Sequence, residues 1–242
     1  MNKKKFISLI DKRFLNGITH RGLHNEEFTE NGLRAFKNAI DHDLAFEFDV
    51  HITKDNQLVV CHDEDLKRTT GKQGIIEDLT LKEIKDGYRL LDGEEVPTLQ
   101  EVFDLNQEKC PMVIELKVFR KNYKPLSKYF KEVVKQIKDK SKVLLISFDP
   151  RSLWPLKRLG FLRSLLIAKS DDYTWMFRHS VESIDVEDVL LKEKKYQKYY
   201  KKHFVNVWTI QKESQLKEVL PFVDTVTYQY LDPKFVKDKL SK

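Results

Sequence analysis

Cysteine is scarce: Cys61 and Cys110 are the only two in 242 residues. That is too few for a secreted disulfide framework, and both read as buried thiols. Long apolar runs are missing as well. Nothing approaches the roughly 18 residues that a membrane-crossing helix needs. The opening MNKKKFISLIDKRF is basic, but its apolar run from Phe6 to Ile10 is broken by Ser8 and stops at Asp11. A secretory leader needs an apolar stretch of roughly 7–15 residues. A cytoplasmic location is the expectation. No Gly-rich turn follows the first candidate strand, which argues against an open doubly wound sheet with a phosphate loop. Neither sign of charge dominates. The balance of 44 basic to 38 acidic residues leaves +6, with the signs mixed along the chain. This weakly favours anionic partners without establishing nucleic-acid binding, and none is expected. Internal repeats and domain linkers are also absent.

With 40% hydrophobic and 34% charged residues, the chain is globular and long enough for one large core. Short β-rich runs alternate with helical patterns. Candidate strands are Gly17–Gly22, Ala45–Val50, Met112–Lys117, Val143–Phe148, Ser164–Ala168, Ser183–Glu187, Val205–Ile210 and Thr225–Gln229. Helical patterns cover Asn31–Asp41, Leu126–Lys138, Leu153–Leu159, Lys192–Lys202 and Ser214–Pro221. Strand followed by helix, about eight times in about 250 residues, predicts a (β/α)8 barrel. The expected unit is the whole chain, residues 1–242. Two irregularities interrupt it. QLVVCHD (Gln57–Asp63) follows the second strand too closely for a helix, so a hairpin turning at Asp55-Asn56 is predicted. Leu66 to Thr98 is turn-rich and reads as an insertion, with a short helix at Leu81–Asp86.

The second strand poses a question. In AFEFDVHIT, Phe46, Phe48 and Val50 share one face, while Glu47, Asp49 and His51 share the other. Neighbouring carboxylates are costly to bury. Barrel sites form where strands end. Strand ends would gather His20 and Arg21, Glu47 and Asp49, and Glu115 and Lys117, with His62 and Asp63 added by the hairpin. Glu47, Asp49 and Glu115 could hold a hard divalent cation, Mg²⁺ or Ca²⁺ rather than zinc. Equally, they could pair with Arg21 and Lys117 as a structural ion network, and the residues alone leave both readings open. Beside a metal, Arg21 and Lys117 would suit a phosphate, and His20 and His62 could serve as general base and acid.

In order, THRG, TENGLRAFKNAI, FEFDVHITKDNQLVVCHDEDLKRTTG, VPTLQEVF, VIELK, ISFDP and VWTI resemble the motifs of glycerophosphodiester phosphodiesterases. The resemblance covers Gly17 to Ile210 and is most specific from Glu47 to Gly71. It implies a metal-dependent barrel with an insertion after the second strand. The implied reaction is hydrolysis of glycerophosphodiesters to sn-glycerol 3-phosphate and an alcohol. It implies His20 and His62 as catalytic, Glu47, Asp49 and Glu115 as metal ligands, and Arg21 and Lys117 as phosphate-binding. By the same resemblance Trp208 matches an aromatic residue of the family's substrate pocket, and Glu30-Asn31 match a helix-opening pair that Thr29 precedes in place of proline. Gln211 stands for an asparagine, and Tyr228-Gln229 for a Thr-Asp pair, departures that bear on the pocket wall. Rival readings are a lysophospholipase D or related phospholipase D on the same barrel, and a non-catalytic lipid-binding barrel. The last rests on KEKKYQKYYKKH (Lys192–His203), a basic helix that could touch an anionic membrane or simply present a solvated face.

Overall fold

The structure, a computed structural model, describes residues 1–241, with side chains except at 171 and 172; Lys242, the last residue of the expected unit, lies outside them. Among the described residues nine strands form: β1 (Ile18–Thr19), β2 (Ala45–Ile52), β3 (Leu58–Val60), β4 (Met112–Leu116) and β5 (Val143–Ser147), then β6 (Leu162–Ile167), β7 (Ser183–Glu187), β8 (Val205–Ile210) and β9 (Thr225–Tyr228). All but β3 run parallel, in the order β1-β2-β4-β5-β6-β7-β8-β9, and β1 pairs with both β2 and β9. The sheet is therefore a closed eight-stranded parallel barrel, as the strand–helix alternation predicts.

Alternation along each strand divides the core in two. Phe46, Phe48, Ile114, Leu145 and Val207 face outward and pack beneath the surrounding helices. Ile18, Ala45, Val113, Leu144, Leu162 and Phe204 face inward and fill the barrel's lower end. Helix Lys3–Leu9, which hydropathy did not predict, closes that end. Asn2 caps it by accepting from the Lys5 amide at 2.9 Å, and Phe6 stacks on Phe204 with centroids 4.3 Å apart. Truncating a buried Phe typically costs about 3–5 kcal/mol, so Phe6 ties the chain's start to the barrel floor.

The predicted hairpin is present, with Val50 opposite Val60 and Asn56 at φ +64° in its turn. Residues 66–98 carry a hydrophobic cluster of their own, formed by Leu66, Ile76, Ile84, Tyr88, Leu90 and Val96 with Val59 and Cys61. Its helix Leu81–Gly87 starts on a Thr80/Glu83 capping box. A second box, Thr98/Glu101, starts helix Leu99–Asn106. The basic helix spans Lys194–Tyr200; Tyr196 is buried and packs edge-on against Trp175, as does Tyr199. Its tyrosines thus belong to the barrel's outer packing. Among the described residues, no helix is long and apolar enough to cross a membrane.

Candidate active site

Parallel neighbours in register bring side chains from different strands together. Asp49 on β2 lies opposite Glu115 on β4, and Glu47 lies one alternation below it, opposite Val113. Each of the three offers a carboxylate oxygen within 4.8 Å of the others, and all three residues are buried. Burial, then Asp49 and Glu115, push the Glu47 carboxyl well above its ordinary range. Burial also raises Glu115. Asp49 differs: burial would raise it too, but Lys117, His62, Arg21 and Asn31 outweigh that and hold it low.

Two cations serve this cluster. Lys117 Nζ is 3.0 Å from Glu115 Oε1 and 3.5 Å from Asp49 Oδ1. Arg21 sits at φ +55°, a left-handed conformation uncommon for a side chain with a Cβ. Bent there, the chain donates the Arg21 amide to Glu47 Oε2 at 3.0 Å. The Arg21 guanidinium lies 3.5 Å from Asp49 Oδ2 through Nε and donates from Nη1 to Glu30 at 2.7 Å. Asn31, at φ +58°, donates to Asp49 Oδ2 at 2.9 Å and accepts the Asp49 amide at 3.3 Å. Even so, two of the three carboxyls remain lifted by burial and mutual repulsion. The three acids therefore fit a hard divalent cation, whose charge would relieve that repulsion.

The histidines have unlike partners. His20 Nδ1 donates to Gln229 Oε1 at 2.7 Å, and its Nε2 is 4.0 Å from Glu47 Oε2. Burial and then Arg21 lower its pKa to about 3, which keeps the ring neutral. His62 Nδ1 instead donates to the Asp63 carboxylate at 2.6 Å. Asp63 accepts from Arg68 at 2.6 Å, and Arg68 shares Glu30 Oε1 with Arg21, each at 2.7 Å. An unbroken chain of charged contacts thus joins Asp49 to His62. Beneath it, buried His51 bonds Glu77 at 2.9 Å and the His62 carbonyl at 3.2 Å, fixing the hairpin's exit.

A cavity of about 120 Å³ is lined by His20, Arg21, Glu47, His62, Glu115 and Trp208. Lys117 lines an adjoining cavity, and Asp49 sits behind both, held by its partners. The Trp208 indole donates to the Asp185 carbonyl at 3.1 Å and meets Phe148 edge-on, with centroids 5.6 Å apart. All eight residues singled out from the sequence thus converge on one mouth. Sequence reasoning placed Glu30, Asn31 and Asp63 nearby but gave no role to Arg68, His51 or Phe148. Gln229 registered only as a departure from a motif. Its signal was its place at the end of the last strand, which closure brings beside the first.

Fold and mouth together describe a parallel barrel that gathers an acidic cluster, two cations and two differently held histidines around two adjoining cavities at one mouth. The chain belongs to the glycerophosphoryl diester phosphodiesterase family, whose model matches residues 20–232. It is 37% identical over 151 residues to a glycerophosphodiester phosphodiesterase of Caldanaerobacter subterraneus, covering 59% of this chain and 62% of that one. It is 39% identical over 142 residues to a lysophospholipase D of Mus musculus, covering 52% and 43%. The chain thus spans less than two thirds of the length of these relatives. An Oleispira antarctica phosphodiesterase, solved with the product sn-glycerol 3-phosphate, shares the fold with a TM-score of 0.81 at 22% identity, covering 98% of this chain and 99% of that one.

Proposed function

We propose that this chain hydrolyses glycerophosphodiesters to sn-glycerol 3-phosphate and an alcohol, with Glu47, Asp49 and Glu115 holding a divalent cation, Mg²⁺ or Ca²⁺. The observation that carries this reading is that both histidines line one cavity with Glu47 and Glu115, which form one acid cluster with Asp49. When bound, the cation would supply Lewis-acid stabilisation of charge on the phosphoryl oxygens. Arg21 and Lys117, already anchored on the cluster, would orient the phosphate and offset its charge. His20, neutral and with Nδ1 engaged by an amide oxygen, offers the Nε2 lone pair and is assigned as general base. His62 has its pKa lowered, chiefly by burial, while the Asp63 carboxylate on Nδ1 works in the opposite direction and supports the charged ring; it is assigned as the acid that protonates the departing alkoxide. Trp208 would wall the glyceryl moiety. Residues 1–242 would act as one phosphodiesterase unit, with 66–98 as an insertion steadying the hairpin that carries His62. The free, buried thiols of Cys61 and Cys110 suit a cytoplasmic setting.

The test is direct. The protein is incubated with several glycerophosphodiesters, with and without EDTA, and glycerol 3-phosphate is assayed. Metal-dependent release supports the reading; no release from any of them with metal present sinks it.

A further inference from the structure

No residue between Leu66 and Thr98 lines the cavity that holds the histidines. That segment nevertheless sends Arg68 to two residues that hold the site. Arg68 lies on the short helix Lys67–Thr70, between buried Leu66 and buried Thr69. The Leu66 amide donates to the Gly74 carbonyl and the Leu91 amide to the Thr69 carbonyl, both at 2.9 Å. The backbone around Arg68 is thus anchored within the insertion, while its side chain is half-exposed.

From there Arg68 spans two carboxylates. Its Nε donates to Asp63 Oδ2 at 2.6 Å and its Nη2 to Glu30 Oε1 at 2.7 Å. Those two donors lie along one edge of the planar guanidinium, an edge that commonly grips a single carboxylate. Here it is divided between acids from separate segments. Glu30 precedes the helix Leu33–Asp41, and Asp63 follows the hairpin. Burial would raise the Glu30 carboxyl, but Arg68 and then Arg21 outweigh it and hold it at about 2. Glu30 therefore stays charged between two guanidinium groups.

The two sides of Arg68 depend on it unequally. Arg21 also contacts Glu30 and Asp49, and its amide reaches Glu47, so it stays anchored without Arg68. His62 Nδ1 is bonded to Asp63, and among the described residues the Asp63 carboxylate bonds one other group, Arg68. Half-exposed ion pairs add little to stability, so folding alone gives small reason for this bridge.

We propose that Arg68 is a positioning residue: it fixes the Asp63–His62 pair relative to Arg21, and so sets where His62 meets the ester oxygen of a phosphate that Arg21 holds. This rests on the phosphodiesterase reading and adds a residue to it. Proton transfer needs heavy atoms about 2.6–3.2 Å apart. A His62 ring that swings with an untethered Asp63 spends less time within that range. Lysine is a poor replacement, because an ammonium on a flexible stem lacks two donors fixed along one edge.

The experiment uses the full, metal-loaded chain with glycerophosphocholine and with glyceryl p-nitrophenyl phosphate, which differs in the leaving group alone. Arg68→Met keeps an apolar stem and removes the fork; Arg68→Lys keeps the charge. Each loses roughly 10–10²-fold in kcat on glycerophosphocholine, the scale of a misplaced catalytic group. KM shifts by less than about threefold, because Arg21 remains anchored. The ratio of the two substrates' rates moves in the same direction as in His62→Ala. Added to His62→Ala, Arg68→Met costs less than about twofold more, since it acts through that ring. Melting points move by no more than about 2–4 °C. Full activity in Arg68→Met, an undiminished loss in the His62→Ala background, or a rise in KM alone overturns the positioning role. Full rate in Arg68→Lys overturns it too, since charge would then suffice. A large fall in melting point with equal losses on both substrates overturns it in favour of a purely structural bridge. In each of these cases hydrolysis by the parent protein leaves the phosphodiesterase reading standing; no hydrolysis of either substrate by the parent overturns both.

Discussion

On the side of the mouth formed by β1, β2 and β4, each candidate group is charged or carries a ring nitrogen, and each is fixed by a named partner. Glu47 takes the Arg21 amide, Asp49 takes Asn31, Glu115 takes Lys117, and His62 takes Asp63. On the side formed by β5 and β6, the loops present Trp154, Tyr173 and Phe177, which line one cavity with Phe148 and Glu115. Charged groups must be held to within tenths of an ångström, because hydrogen bonds and ion contacts are short and directional. They therefore sit on strands or within two residues of a strand's end. Apolar contact tolerates looser placement, and 3-10 segments Trp154–Leu159 and Lys169–Ser180 are enough to supply it. One side gathers charge and fixes it by short polar contacts, and the other presents apolar rings.

The contrast can be broken most completely by removing the charge at its centre. EDTA treatment, or Glu47→Gln, should lower kcat by on the order of 10³-fold, the scale of several kcal/mol of charge stabilisation. Metal content measured beside product release should fall in parallel for Glu47→Gln. Full activity in metal-free buffer would reject the cluster as a metal site.

Next come the two histidines, which should fail differently. His20→Ala and His62→Ala should each lose roughly 10²–10⁴-fold on glycerophosphocholine. A p-nitrophenyl phosphodiester has a leaving group that needs no proton. On it His62→Ala should recover much of its loss, while His20→Ala stays slow. Equal losses on both substrates, in folded and metal-loaded variants, would refute the division of roles drawn from Asp63 and Gln229.

Trp208 lies where the two sides meet. Trp208→Ala should raise KM about tenfold and change kcat little, because an aromatic wall contributes similarly to ground and transition states. A selective fall in kcat at constant KM would move Trp208 into the chemistry.

The smallest effect tests a carboxyl outside the charged side. Asp185 accepts from Ser164 and from Asn206 at 2.8 Å, and burial raises its pKa from 3.8 to about 6. Between those values the folded chain holds a proton that the unfolded chain has released. Stability should therefore fall as pH rises through that window. Asp185→Asn removes this dependence and leaves an amide that can donate to the buried, unpartnered Asn206 Oδ1. The variant should be more stable than the parent at pH 8, by about 2–3 kcal/mol at most, and the advantage should vanish near pH 4. Denaturant melts across pH 4–8 measure it; a pH-independent difference would show that Asp185 is not titrating as described.

Much of this molecule could be read from one dimension because its signals are local. Alternation in AFEFDVHIT puts Glu47 and Asp49 on one face and two phenylalanines on the other, and the barrel keeps that division. The short gap before QLVVCHD allows only a hairpin, and the turn-rich stretch from Leu66 became an outlying cluster. Other features depend on distant partners and left no local trace. The first strand was expected from Gly17 to Gly22 but spans only Ile18–Thr19, because Arg21 turns to a positive φ to reach Glu47. Helix Lys3–Leu9 is short and lysine-rich, and its one buried residue, Phe6, finds its purpose only against Phe204. Gln229 orients His20 only because β9 and β1 become neighbours when the barrel closes. Nothing near Trp154 or Phe177 in the chain marks them as one wall, since two successive loops had to fold over the same opening to join them. Residue type and period thus determined the strands, their inward faces and the kinds of group at the mouth. Closure of the sheet, a long-range event, decided which of those groups meet and at what distance.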